Sequence, residues 1–222
     1  MIGIRGVGWL TAAAYGQAGR GLCQPFPAGE GPASLAKSGV VPTPYRNFGR
    51  LDPLARLTIA AVALTLDDAG EAVALGEKQG TGIVGATRDG SLAADVAYFR
   101  DYLENGRTLG RGNLFIYTLP TSPLGETAIQ FGLTGPLLAT TAEAPLAAAV
   151  ELAAGLVAGG EAPRMLAGAA SAEDALYLLI ERTGPDTPRC ALDPVRAVIN
   201  SGKGVAAMAA QFSALLNRKG AL

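Results

Sequence analysis

The chain has 222 residues, of which 49% are hydrophobic, with 18 Lys and Arg against 19 Asp and Glu. That length and apolar content suffice for one compact core, and the balanced charge leaves no electrostatic footprint for nucleic acid or an anionic membrane surface. Histidine is absent, and the two cysteines, Cys23 and Cys190, lie far apart; this argues against a zinc site and a disulfide framework and fits a reducing cytoplasm.

In chain order, residues 2–9 alternate as an opening strand with glycines inside it, so no basic-then-apolar leader is expected. The Gly6-Val7-Gly8 run lacks the third glycine that a dinucleotide loop needs, and no cofactor is expected. Residues 16–49 are rich in Gly and Pro and read as a long loop. Asp52 and Pro53 then suit the N-cap and first position of a helix that reaches about Ala69, with Gly70 as its stop. Arg50, Asp52 and Arg56 read as a cap plus surface bridges, and Asp67-Asp68 as a solvated face.

A short apolar strand is expected over residues 81–87, then an amphipathic helix over 91–103 with Leu92, Val96, Phe99 and Leu103 on one face. Tyr98, Phe99 and Tyr102 share its helical spacing, which points to core packing or an interface. Residues 114–117 read as strand or extended chain and 123–131 as a helix. The clearest βαβ unit follows: a strand from Leu137, an alanine-rich helix over 144–158 and a strand over 165–171. A strand over 175–182 and an amphipathic helix over 203–218 complete the pattern, an α/β fold with a mixed sheet covered on at least one face. No apolar window is long enough to cross a bilayer.

Several of these stretches share a family pattern. Gly49-Arg50-Leu51-Asp52-Pro53-Leu54-Ala55-Arg56 with the helix after it resembles the "R-x-D-x-x-x-R … AL-x-DAG" segment of the β-ketoacyl synthases. Leu119-Pro120-Thr121-Ser122-Pro123-Leu124-Gly125-Glu126-Thr127-Ala128-Ile129 resembles their "PN-x-x-x-G-x-x-AI", with Thr121 where Asn is usual, and Phe131 to Pro136 resembles "x-GLxGP". The strand, the Thr141-Ala142-Glu143 elbow, the helix and the second strand resemble the unit that carries the nucleophile, with Glu143 where that family has Cys. Over roughly residues 1–182 the resemblance implies the N-terminal half of a thiolase-like fold: a mixed five-stranded sheet between helical layers, within one domain of 1–222 ending in a C-terminal helix over 200–222.

The same resemblance implies a chain that does not condense, close to the chain-length factors of polyketide systems, with no catalytic residue, cofactor or metal expected. The implied partner is a second copy or an active β-ketoacyl synthase, with an acyl carrier protein also in view, and the pathway is fatty acid or polyketide biosynthesis in the cytoplasm. A half-fold should also leave bare the face that a second half would cover. The segment between Ser171 and Ala175 is much shorter than the stretch separating these two strands in the family.

A cysteine at a helix N-terminus gains thiolate character, whereas a carboxylate is poorly suited to carry an acyl chain and repels a malonyl carboxylate. Neither Ser171 nor Thr140 replaces it without a histidine base. Glu143 itself reads as a helix-start residue in a dead site, or as a group that holds the elbow closed or binds a cation. A different class of reading makes it the general base of a decarboxylase-like enzyme, in a desolvated pocket. A third is a decayed domain kept as a scaffold.

Overall fold

The structure, a computed structural model, describes residues 1–36, 48–71, 77–105, 110–182 and 190–217. Strand β1 (Ile2–Leu10) is followed by a hairpin, β2 (Ala14–Gln17) and β3 (Leu22–Pro25), which from residue 16 onward falls in the stretch read as loop. Gly8, Trp9 and Leu10 face Gln17, Gly16 and Tyr15 across the antiparallel ladder, and β2 pairs onward with β3. These strands carry no run of β-branched residues; pairing with β1 and the Tyr15–Phe26 ring contact, 5.2 Å between centroids, hold them. Short 3-10 turns follow at Pro32–Ala36 and Phe48–Arg50. The rest of the expected loop, 37–47, lies outside the described residues.

Helix α1 (Pro53–Asp68) starts as the sequence suggested: the Asp52 carboxylate accepts from the Leu54 N–H at 2.8 Å, with Pro53 in the first turn. Its middle is buried on nearly every side, between the sheet and a later helix, which suits a helix with almost no polar stripe. The close approach needs glycine in β1: a Cβ on Gly6 would stand 2.6 Å from the Thr65 carbonyl oxygen, and one on Gly8 would overlap the Thr65 backbone nitrogen. The glycine pair therefore serves strand–helix packing.

Strand β4 (Thr81–Thr87) leads to α2 (Leu92–Glu104) and α3 (Gly112–Phe115), which runs into a 3-10 turn at Ile116–Thr118. Residues 114–117, read as extended, are thus helical; Phe115 packs its ring on Tyr98 of α2, 5.5 Å between centroids. Helix α4 (Ser122–Phe131) ends on Gly132 at φ 62°, a left-handed cap that explains the glycine of the "GLxGP" stretch. The remainder is β5 (Leu137–Thr141), α5 (Pro145–Gly159), β6 (Arg164–Ala170), β7 (Ala175–Arg182), β8 (Cys190–Ala191), α6 (Leu192–Ile199) and α7 (Val205–Leu216). The final helix is shorter than expected, and Arg218 lies outside the described residues.

The sheet has eight strands rather than five, in the order β3-β2-β1-β7-β6-β4-β5, with β8 also on β1. The five expected strands form its continuous part; the hairpin and β8 extend it. Strands β4, β5 and β6 are parallel, while β7 runs antiparallel to both β1 and β6. Helices α1 and α4 cover one face; α5, α6 and α7 cover the other.

One further expectation changes. Asp68 is fully buried rather than solvated: it accepts from the backbone N–H groups of Val7 (2.8 Å), Gly19 (3.0 Å) and Arg20 (2.9 Å), fastening the first hairpin to the end of α1. Asp67 meanwhile pairs with Arg20 at 2.9 Å. Beside α5, Phe212 and Met208 of α7 and Val195 of α6 pack into the core. Large exposed apolar side chains gather on α2 and the turn after α3.

Candidate functional site

The parallel strands β4 and β5 bring the elbow into place. Their register sets Ala86 against Thr140 and Thr87 against Thr141, and the Ala142 N–H continues the ladder to the Thr87 carbonyl at 3.1 Å. The chain then turns through Glu143 and Ala144, with Ala144 at the N-cap and Pro145 in the first turn of α5. Glu143 therefore precedes the helix rather than sitting in its first turn.

Its side chain is 93% exposed and meets Arg88, the first residue after β4. Arg88 grips two different atoms: Nη1 donates to Glu143 Oε2 at 2.8 Å and Nη2 to the Glu143 carbonyl oxygen at 2.9 Å. The guanidinium thus holds both side chain and backbone of the elbow. Being open to water, such a pair adds about 0.2–1 kcal/mol at most.

Beside it, at the carboxyl ends of β4 and β6, lies a mainly apolar cavity of about 240 Å³. Leu54, Ala94, Leu119 and Pro123 supply its apolar wall, and Arg88 stands at its edge. Glu143 does not line it; Arg88 is the residue the two features share. Tyr117 also faces the cavity, and its phenol is raised above the ordinary value by burial first and by the Glu126 carboxylate second. Beneath, Thr140 and Tyr177 border a much smaller void, where burial pushes the Tyr177 phenol up despite its hydrogen bond with Thr58.

The other candidates fall into structural places. Ser171 accepts from the Asp174 N–H (3.1 Å) and donates to the Asp174 carboxylate (2.6 Å), closing the tight β6–β7 hairpin. Thr141 is exposed on the last position of β5, and no ion pair joins Arg50, Asp52 and Arg56 among the described residues. Among the described residues no group of three or more His, Cys, Asp or Glu stands together to hold a metal, and no helix is long and apolar enough to cross a membrane. Arg88 was not singled out in the sequence: it is 55 residues from Glu143, and only the β4–β5 register joins them.

The sequence profile of the β-ketoacyl synthase N-terminal domain matches residues 37–205. The chain belongs to that family. Solved structures agree on the fold. The ishigamide ketosynthase/chain length factor matches with a TM-score of 0.60 at 19% identity, covering 82% of this chain and 62% of that one. A type II acyl-carrier protein in complex with its ketosynthase bound to the hexaketide gives 0.57 at 15% identity, with the same coverage. A β-ketoacyl synthase from Burkholderia phymatum gives 0.56 at 16% identity, covering 82% and 59%. The chain thus spans about three fifths of the length of these structures. No curated protein matches it.

Proposed function

We propose that this family member is a non-catalytic β-ketoacyl synthase-like subunit of fatty acid or polyketide biosynthesis. It acts by binding an active synthase or an acyl carrier protein and by setting the length of the acyl chain made there. The observation that carries this reading is Glu143. It stands at the elbow where the family's nucleophile is expected, faces water and is held at two points by Arg88. A carboxylate there offers no thiolate, and a chain without histidine offers no imidazole to assist decarboxylation. Among the matched structures, those named as a ketosynthase with its chain length factor or its carrier protein support the choice of partner.

The decarboxylase-like reading rests on a desolvated carboxylate, and an exposed Glu143 lends it no support. The test is a reconstitution assay with malonyl- and acyl-carrier protein. The chain alone should release no carbon dioxide and form no product. Added to a partner synthase, it should shift the distribution of product lengths. Turnover by the chain alone, abolished in Glu143→Gln, would overturn the proposal.

A further inference from the structure

The cavity beside the elbow is apolar in its body and acidic at its mouth. Leu54, Ala94, Leu119 and Pro123 form the wall, and Asp52 and Asp89 reach the lining as carboxylates. Beneath, the space narrows to about 20 Å³ over Thr140 and Tyr177, so the cavity ends there instead of running on as a tunnel for a long chain. An apolar cavity of about 150 Å³ accepts benzene. One of about 240 Å³ therefore takes a single ring with a short arm, or a branched alkyl group of like bulk.

The polar groups around it set the charge of the occupant. Its hydroxyls are taken: Thr87 accepts from the Gly90 N–H at 2.8 Å, Ser91 donates to the Thr118 carbonyl at 2.7 Å, and Ser171 closes its own hairpin. Arg88 is taken as well, with one nitrogen on the Glu143 carboxylate and the other on the Glu143 carbonyl. Asp52 uses one oxygen, accepting from the Leu54 N–H. The Asp89 side chain is exposed and has no hydrogen bond or ion pair among the described residues. Among the charged groups that reach the cavity or act on its Tyr117, the carboxylates of Asp52, Asp89, Glu126 and Glu143 outnumber the guanidiniums of Arg56 and Arg88. The Tyr117 phenol reflects this: after burial, the Glu126 and Asp52 carboxylates raise it, and Arg56 opposes them less. An anion entering here would have to displace Glu143 from Arg88 while facing Asp52 and Asp89. A cation meets both aspartates as partners.

We infer that the cavity binds a compact apolar amine, its hydrocarbon body between Leu54, Ala94 and Pro123 and its ammonium group at the rim on Asp89 and Asp52. Such a site needs neither chemistry at Glu143 nor a synthase partner.

The experiment is calorimetric titration of the full chain with probes of one shape and different charge: phenethylamine, phenethyl alcohol and hydrocinnamate. The amine is expected to bind roughly tenfold more tightly than the alcohol, and the carboxylate no better than the alcohol. Asp89→Asn, an exposed change, should weaken the amine roughly fivefold and leave the alcohol unchanged, and added salt should act in the same direction. Ala94→Phe fills the cavity from α2 without altering a charge; it should remove binding of amine and alcohol alike while the melt stays close to that of the wild type. Cyclohexylmethylamine and isoamylamine extend the test to other apolar bodies of similar bulk. Failure of every amine to bind, a carboxylate that binds more tightly than the amine, or amine binding indifferent to Asp89→Asn would overturn the inference.

Discussion

Asp68 and Glu143 are both carboxylates at the edge of a helix, and they are built in opposite ways. Asp68, at the end of α1, is sealed from water and bound by three backbone N–H groups, one in β1 and two in the β2–β3 turn. Glu143, just before α5, is open to water and held by one arginine. The first makes the hairpin, the first strand and the first helix one unit. The second, open to water, contributes little to packing. Asp68 lies in the packed region, whereas Glu143 lies where packing constrains little.

The comparison can be broken most severely at Gly8. A Gly8→Val side chain would overlap the α1 backbone at Thr65, so α1 must move off β1. We expect a loss of about 3 kcal/mol or more and largely insoluble protein, read from expression and thermal melting. A soluble Gly8→Val protein with a near-normal melt would show that the α1–β1 contact is looser than described. Next, Asp68→Ala strands three buried N–H donors and should cost about 3–5 kcal/mol, seen as a melting temperature lower by roughly 10 °C. Little change would mean that the hairpin carries its own stability.

Glu143→Gln sharpens the contrast from the other side. Because both partners are exposed, it should cost less than about 1 kcal/mol, and added salt should narrow the difference further. A loss comparable to that of Asp68→Ala would mean the elbow depends on this carboxylate. The smallest effect belongs to Glu151 on α5, held below the usual carboxylate range chiefly by its hydrogen bonds with Arg196 of α6. A folded-state value below the unfolded one means that its contribution is present above about pH 4.5 and fades as pH falls through the folded value. Melts of wild type and Glu151→Gln should therefore differ slightly at neutral pH and converge in acid; a gap that widens in acid would reverse the sign.

The parts of the fold that read clearly from sequence are those whose signals are local. Asp52-Pro53 states the start of α1, and the apolar run from Leu137, the alanine-rich helix and the strand after it state the βαβ unit that carries the elbow. What stayed hidden is held by distant partners. Strands β2 and β3 lack any propensity run and exist through β1 and Asp68. Ile116 and Tyr117 favour strands in general, yet pack as a helical turn because Phe115 finds Tyr98. Helix α6 did have a legible sign: Asp193-Pro194 repeats the pattern at Asp52-Pro53, with Val195, Val198 and Ile199 at helical spacing. At the site, Glu143 was visible as a departure from a motif, but its exposure and its arginine were not.

The most direct test of the proposed function is the mass of the chain mixed with a β-ketoacyl synthase of fatty acid or polyketide biosynthesis, measured by light scattering after size-exclusion chromatography. A defined complex containing both chains, formed equally well by Glu143→Gln, is the predicted result. Separate elution of the two proteins, together with failure to retain acyl carrier protein, would contradict it.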